Sequence, residues 1–101
     1  MAVEYIRYKI APEQKEAFIE TYKSASEELI ASEYCTAYEL TECEEEAGQF
    51  ILRIEWTSTE EHLNGFRKSK LFPLFFAKVK PYVDNIQEMR HYKPMEVNQR
   101  K

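Results

Sequence analysis

The sequence predicts an α+β fold of six elements in the order β-α-β-β-α-β. Four segments alternate apolar and polar residues, as half-buried strands do, and two longer segments repeat apolar residues at helical spacing. Proline, glycine or helix-capping residues stand between these segments. The 101 residues suffice for one domain, with a core expected over about residues 3–92 and a polar tail over residues 93–101.

The first strand is predicted over residues 3–10, where Ile6 and Tyr8 alternate with charged residues. Pro12 ends the strand and suits the first turn of a helix. That helix is predicted over residues 13–31, because apolar residues recur there every three or four positions. They form one stripe, which consists of Ala17, Phe18, Tyr22, Ala25, Leu29 and Ile30.

The middle of the chain has the pattern of a β-hairpin. Residues 34–43 and 50–56 are predicted strands, and an acidic loop ending in Gly48 joins them. Ser58 follows the second strand almost at once, with Glu61 three residues later, which is the pattern of a capping box. The chain therefore passes directly from strand to helix.

The last third of the chain predicts a second helix and a fourth strand. Apolar residues are dense over residues 71–82, with Pro73 in the first helical turn and Pro81 closing the helix. Gly65 is expected to weaken or end the shorter helix before it. The last strand is predicted over residues 83–92. This order of elements is that of the ferredoxin-like fold, in which helices cover one face of an antiparallel sheet.

The residues expected on the other face of the sheet indicate self-association. It mixes aromatic and charged residues, among them Tyr5, Arg7, Glu39, Arg53 and Glu55. Such a face can pair with its own copy around a two-fold axis, with ion pairs crossing the interface. The alternative is an exposed amphipathic face, whose surface ion pairs contribute little. We expect the homodimer.

Composition argues against several kinds of partner. The net charge is −4 and the basic residues do not cluster, so no nucleic-acid partner is expected. No apolar run approaches the roughly 20 residues that span a bilayer, and no signal peptide is recognisable, so we expect no membrane partner and a cytoplasmic location. Cys35 and Cys43 are separated by roughly 25 Å on one predicted strand, too far for a disulfide. No Cys or His spacing predicts a metal site.

The residues around Trp56 resemble those of the antibiotic biosynthesis monooxygenase family. The chain reads ILRIEWTS over residues 51–58 and FRKSKLF over residues 66–72. The family has a strand ending in E-x-W-x-S, a short helix, and an S-x-x-F step into a longer helix. The resemblance covers about residues 3–92. It implies a dimeric α+β barrel, in which two ferredoxin-like sheets close face to face and a ligand cavity lies between each sheet and its helices.

The resemblance implies one function and leaves an alternative open. The family includes oxygenases of quinols and anthrones that use no cofactor, so we expect a monooxygenase acting on a small aromatic substrate without a cofactor. The alternative is a non-catalytic dimeric module that binds an apolar ligand or a partner. Haem-degrading relatives have Asn, Trp and His where this chain has Ile6, Phe66 and Phe76, so haem binding is disfavoured.

Candidate site residues follow from the oxygenase interpretation. The residues proposed for proton transfer are His62, Tyr8 and Tyr38, and those proposed to hold the substrate ring are Trp56, Phe66, Phe72, Phe76 and Ile6. Each aromatic residue among them also has a purely structural interpretation, because aromatic side chains commonly fill protein cores. His62 follows two glutamates at a helix start and is expected to be exposed. In the functional interpretation it is instead the general base. His91 is expected to be structural.

Overall fold

The computed structural model describes all 101 residues. Four strands form one antiparallel sheet in the order β2-β3-β1-β4, with helices on one face. The strands are β1 (Ala2–Lys9), β2 (Cys35–Glu42), β3 (Gln49–Trp56) and β4 (Ile86–Tyr92), and the longer helices are α1 (Lys15–Ala31) and α2 (Leu71–Val79). The helical segments Pro12–Gln14, Glu61–Phe66 and Lys80–Asn85 are shorter. The predicted α+β class and element order are confirmed.

The register of β1 separates the two faces of the sheet. Ile6 lies opposite Leu52 and Tyr8 lies opposite Phe50 of β3, and all four side chains are buried beneath the helices. They belong to a core of 15 buried residues between sheet and helices. Burying a side chain of this kind stabilises the fold by about 1.5–3 kcal/mol. Glu4 falls in the same inward register, which places a carboxyl group in this layer.

Two predicted boundaries are wrong by a few residues. The helix expected from residue 13 begins as a 3₁₀ turn, and α1 starts at Lys15. The strand expected from residue 83 starts at Ile86, because the segment around Pro81 continues as a 3₁₀ turn. Proline suits the start of such a turn, since it has no N–H group to leave unpaired.

The predicted apolar stripe of α1 is correct in its centre and wrong at its edges. Phe18, Tyr22, Ala25 and Leu29 are buried, whereas Ala17 and Ile30 are exposed and Glu28 is buried. Successive residues turn by about 100° around a helix, so the neighbour of an inward residue can point to solvent. The buried Glu28 carboxylate pairs with Lys78 of α2 at 2.7 Å.

Gly65 has a packing role that differs from the predicted one. The short helix Glu61–Phe66 continues through it. A Cβ atom at this position would lie 2.6 Å from the ring of Tyr34, so the absence of a side chain lets the ring pack against the helix. The predicted cap is present, because the backbone N–H of Glu61 donates to Ser58 Oγ at 3.0 Å.

No helix covers the second face of the sheet. Arg53 binds Glu55 at 2.7 Å on this face, and its Nε donates to the hydroxyl of Tyr5 at 3.4 Å. The rings of Tyr5 and Tyr92 meet edge to face with centroids 5.3 Å apart. Within a single chain, therefore, Arg53 already has a carboxylate partner. We call this surface the open face.

Two further expectations can be compared with the structure. Cys35 and Cys43 are free thiols, as their spacing predicts. None of the helices combines the length and apolar character that crossing a membrane requires. Residues 93–101 form neither helix nor strand and are exposed.

Candidate functional site

An apolar cavity of about 180 Å³ lies between the sheet and α2. We call it the inner cavity. Of its 16 lining residues, 13 are hydrophobic, and the other three are Glu4, His62 and Arg67. Phe76, Val83 and Met89 line it and are 38–46% exposed, so the cavity opens to the surface beside them. An apolar space with a few polar groups on its wall is typical of a small-molecule site.

The inner cavity brings together most of the residues proposed from sequence. Seven of the eight line it, namely Ile6, Tyr8, Trp56, His62, Phe66, Phe72 and Phe76. Tyr38 does not. It lies on the helix-facing side of β2, beside Ile19 and Leu29, and is 38% exposed. No residue of β2 lines the inner cavity, which is bordered by β1, β3, β4, both longer helices and the short segments Glu61–Phe66 and Lys80–Asn85.

The expectation that His62 is exposed is wrong, because its side chain is only 3% exposed. Ser58 caps the short helix directly after β3, and the backbone N–H of His62 donates to the Ser58 carbonyl at 3.0 Å. This tight connection folds the imidazole back over Trp56, with ring centroids 4.1 Å apart and planes inclined by 11°. The expectation of exposure came from the two glutamates that precede His62 in the sequence, and it did not take this turn into account.

A widened helical turn directs a second ring into the inner cavity. The backbone N–H of Arg67 donates to the carbonyl of His62 at 3.0 Å, an i→i−5 bond typical of a π-helix. The turn keeps both His62 and Phe66 buried, and the Phe66 ring lies 5.1 Å from the ring of Trp56. Three rings thus form one wall. Such π-turns are frequent at functional sites.

Glu4 is a site residue that sequence reasoning missed. It is 2% exposed, and its Oε1 accepts a hydrogen bond from Trp56 Nε1 at 3.1 Å. Burial raises the pKa of Glu4, and the Trp56 hydrogen bond and the charge of Arg67 offset part of the rise. The sequence did contain a signal for its position, because Glu4 lies two residues before Ile6 and so points to the same side of the strand as Ile6 and Tyr8. A carboxyl group in an inward register is costly unless it has a partner.

His91, expected to be structural, lies against His62. His62 Nδ1 and His91 Nε2 are 2.7 Å apart, which is a hydrogen bond between imidazoles. Burial lowers the pKa of His62 to about 3, with smaller effects from the charges of Arg67 and His91. Burial also lowers the pKa of His91, and Arg67 adds to the effect. Both imidazoles are therefore neutral at pH 7, so one ring nitrogen donates and the other accepts.

The carboxyl group of Glu4 faces the second nitrogen of His62. Its Oε1 is 3.7 Å from His62 Nε2, the nitrogen that does not face His91. Burial disfavours the charged forms of both groups, so a neutral imidazole faces the carboxyl group rather than forming an ion pair. The three side chains form one compact cluster, in which His62 contacts His91 through Nδ1 and faces Glu4 through Nε2.

The same three side chains are of types that bind zinc or iron, and their ligand atoms lie within 4.8 Å of one another. Their directions argue against a shared ion, because His62 presents different nitrogens to Glu4 and His91. Two imidazoles on one tetrahedral zinc ion hold their nitrogens about 3.3 Å apart. The observed 2.7 Å is a hydrogen-bond distance. The two imidazoles therefore share a hydrogen bond.

Two tyrosine hydroxyls complete the polar lining of the inner cavity. Those of Tyr8 and Tyr22 are hydrogen-bonded to each other. Burial raises the pKa of Tyr8 to about 12 and raises that of Tyr22 well above its usual value. Both hydroxyls keep their protons at neutral pH and can donate a hydrogen bond, but they are poor proton acceptors.

A larger depression of about 610 Å³ lies on the open face. Its lining includes Tyr5, Arg53, Glu55 and residues of the C-terminal tail. It contains neither the buried carboxyl group nor the imidazoles, and only four of its 11 lining residues are hydrophobic. The inner cavity, with its buried titratable groups, is therefore the better candidate for chemistry.

Comparisons with known proteins bear on both fold and family. The sequence profile described as antibiotic biosynthesis monooxygenase matches residues 1–78. A conserved protein from Methanosarcina mazei is 22% identical, with 94% of each chain covered and a TM-score of 0.76. A candidate antibiotic biosynthesis monooxygenase from Bordetella bronchiseptica is 18% identical, with 93% of this chain and 96% of that chain covered and a TM-score of 0.75. For a Mycobacterium tuberculosis protein, the identity is 17%, the coverages are 97% and 98%, and the TM-score is 0.72. None of the curated proteins matches the chain.

Proposed function

The chain belongs to the antibiotic biosynthesis monooxygenase family, and from that premise we propose that it oxidises a small aromatic hydroquinone with O₂ and without a cofactor. The observation that carries the proposal is the composition of the inner cavity. It is walled by aromatic rings, and a buried carboxyl group and an imidazole share one side of it. Family membership supports the reaction class, and the cavity supports the substrate class.

The size of the inner cavity favours a single-ring substrate. A dry protein cavity of about 150 Å³ accommodates benzene. The 180 Å³ here suits one ring with small polar substituents, and the three fused rings of an anthrone exceed it. Trp56 and Phe66 would pack against the substrate ring, and Tyr8 would donate a hydrogen bond to a substrate oxygen. Of the two substrate classes implied by the family, we therefore propose the hydroquinone.

The chemistry needs a proton acceptor and a dry site. Losing a phenolic proton gives an electron-rich anion that can reduce O₂ directly, and an apolar cavity shields the radical pair from water. Glu4 is the proposed acceptor, because burial raises its pKa and makes its carboxylate a stronger base than one in water. His62 lies beside it but, with a pKa of about 3, is a weak base on its own. We assign His62 the next position in the proton path.

The overall reaction requires no external reductant. A hydroquinone and one O₂ give a hydroxyquinone and one water, so one oxygen atom enters the ring and the other leaves as water. The substrate supplies all four electrons, two in forming the quinone and two from the ring C–H bond that becomes C–O. The protein binds the ring, removes the proton and excludes water.

Homodimer formation is part of the proposal. The open face carries an aromatic pair and internally matched charges, Tyr5 with Tyr92 and Arg53 with Glu55. A surface of this kind can be covered by a second copy without leaving a buried charge unpaired. We also propose a cytoplasmic location, because the two free thiols suit a reducing compartment.

Oxygen uptake by metal-free protein, measured with a panel of hydroquinones and anthrones, tests the proposal. We expect uptake above the spontaneous rate with single-ring hydroquinones, loss of that excess in Glu4→Gln and His62→Ala, and wild-type rates in the control Glu16→Gln, which alters an exposed carboxylate of α1. Tight binding of the hydroquinones without uptake would instead support the non-catalytic ligand-binding module. Equal uptake by wild type and both site variants would reject the assigned residues.

A further inference from the structure

We infer that Glu4, His62 and His91 form a proton relay that carries the substrate proton from the inner cavity to the protein surface, with His91 as its exit. The inference rests on the proposed function, since the relay begins with the proton that Glu4 accepts. It adds a relay residue, His91, that does not line the inner cavity.

The positions of the three side chains span the wall of the cavity. Glu4 and His62 line the inner cavity and are almost fully buried. His91 is half-buried and lines a separate surface depression together with Ser58 and Thr59. Glu4 and His91 are direct neighbours across the β1–β4 pair, so the sheet itself holds the two ends of the relay together. The cluster of these three residues therefore extends from the interior to the surface.

The separations suit transfer in two steps. His62 Nδ1 and His91 Nε2 are already hydrogen-bonded at 2.7 Å. Glu4 Oε1 is 3.7 Å from His62 Nε2, about 0.5 Å beyond hydrogen-bond range, and a small rotation of the carboxyl group closes that gap. His62 can take part because each of its nitrogens faces a different partner.

The transfer can occur without charging His62. The O–H bond of protonated Glu4 breaks as a bond to His62 Nε2 forms, while the His62 Nδ1–H bond breaks as a bond to His91 Nε2 forms. His91 then releases its Nδ1 proton to water, and the carboxylate of Glu4 is regenerated. No group is oxidised or reduced, and rotation of the two rings restores the starting tautomers. This route avoids a buried imidazolium, which the surroundings of His62 strongly disfavour.

The charge of Arg67 disfavours a cationic state of both imidazoles. Its positive charge acts on Glu4, on His62 and on His91, and it disfavours a proton resting on either imidazole. A proton that reaches His91 is therefore released to solvent rather than retained. The charged or titratable groups that act on the relay are the Arg67 guanidinium and the Glu4 carboxyl group.

The hydrogen bond can be tested without turnover. In ¹⁵N-labelled protein we expect a scalar coupling between His62 Nδ1 and His91 Nε2, with His62 protonated at Nδ1. In His91→Gln the coupling disappears while the remaining spectrum keeps its dispersion, which separates loss of the link from loss of the fold. Absence of the coupling in the wild type, or a His62 ring protonated only at Nε2, would overturn the inference.

Proton transfer itself can be followed with bound 4-nitrophenol, a single-ring phenol whose anion absorbs visible light. After a pH jump in stopped flow, we expect phenolate formation in His91→Ala to be about 10²-fold slower than in the wild type, the lower end of the effect of a positioned acid–base group. Free imidazole in the buffer should restore the rate. The control Gln87→Ala alters an exposed residue of the same strand and should behave as wild type.

The outcomes separate the relay from the proposed function. If 4-nitrophenol binds but its relaxation is unchanged in His91→Ala, the hydrogen bond is merely structural and the relay is rejected, while the monooxygenase proposal stands. If the phenol does not bind, the proposed substrate class fails and the relay fails with it. A slowed relaxation that imidazole does not restore would also reject His91 as a proton carrier.

Discussion

The imidazole of His62 lies flat on the indole of Trp56, with centroids 4.1 Å apart and an interplanar angle of 11°. Trp56 also donates its indole N–H to Glu4, so one tryptophan positions both the imidazole and the carboxyl group. It follows that Trp56 supports the site in two ways, as a flat wall and as a hydrogen-bond donor. A substitution that keeps an aromatic ring but lacks the indole N–H should remove only the hydrogen bond to Glu4.

Replacing Trp56 with phenylalanine should raise the pKa of Glu4 further, because the hydrogen bond from Nε1 favours the charged carboxylate. The acid limb of the pH–rate profile for hydroquinone oxidation should then move to higher pH. The wild-type limb should already lie above the ordinary value of 4.5 for this group. An unshifted limb in Trp56→Phe, or a wild-type limb at or below 4.5, would contradict Glu4 as the proton acceptor.

Replacing Glu4 with glutamine should lower the rate of oxidation by about 10²–10⁴-fold. It should also change the pH dependence of stability. The raised pKa of Glu4 favours folding below 4.5, and that contribution is lost as the pH rises through the folded-state pKa. Relative to wild type, Glu4→Gln should thus gain stability between pH 4 and pH 7, measured by urea unfolding. A constant difference over that range would argue that the carboxyl group is not buried.

His62 should make the fold sensitive to acid. Its pKa is about 3 in the folded protein against 6.5 in the unfolded chain, so only the unfolded chain binds a proton between these values. Stability is fully present above pH 6.5 and declines as the pH falls towards 3, by up to about 1.4 kcal/mol per pH unit from this group. In His62→Phe this part of the slope should vanish. Equal slopes in urea unfolding for the two proteins would contradict a buried neutral imidazole.

Substrate size should depend on the mouth of the inner cavity. Phe76 lines the mouth and is 38% exposed, so Phe76→Ala should enlarge the cavity. The loss of folding stability should be smaller than the about 3–5 kcal/mol that truncating a fully buried phenylalanine costs. We expect this variant to bind and oxidise anthrones that the wild type excludes. Leu74→Ala, on the same helix but outside the cavity, is the matched control. Anthrone oxidation by the wild type at the rate of the variant would show that the cavity does not select by size.

Dimer formation should depend on the charges of the open face. Arg53→Glu places a second carboxylate beside Glu55 and removes an ion pair of 2.7 Å. Around a two-fold axis each change occurs twice, so repulsion should favour the monomer, as measured by light scattering coupled to gel filtration. Lys68→Glu, an exposed change outside this face, should leave the dimer intact. A monomeric wild type at every concentration would reject the dimer.

Gly65 should not tolerate a side chain. An added Cβ would lie 2.6 Å from the ring of Tyr34, and Gly65→Ala should lower the free energy of unfolding by about 1–3 kcal/mol despite the better helix propensity of alanine. The neighbouring exposed change Asn64→Ala is the control. Adding Tyr34→Leu should recover much of the loss. If the double variant is no more stable than Gly65→Ala alone, the ring is not the source of the conflict.

Local patterns in the sequence determined the element order, the strand-to-helix step after Trp56, the capping by Ser58, the family and the apolar lining of the cavity. These features depend on residues close together in the chain, where alternation, helical spacing and capping have direct physical causes. The residues Ile6 and Phe66 were assigned to one site through the resemblance to the family, and both line the inner cavity.

Only the tertiary structure decided which polar groups meet there. Glu4 and His91 belong to the first and last strands, and the β1–β4 pairing makes them neighbours. Tyr38 lies on the correct side of the sheet but on β2, the strand that does not border the inner cavity. His62 looked exposed from its acidic neighbours, yet a tight turn stacks it on Trp56. Local periodicity gives the direction of a side chain, whereas burial and partners depend on strand order and register, which bring together residues far apart in the sequence.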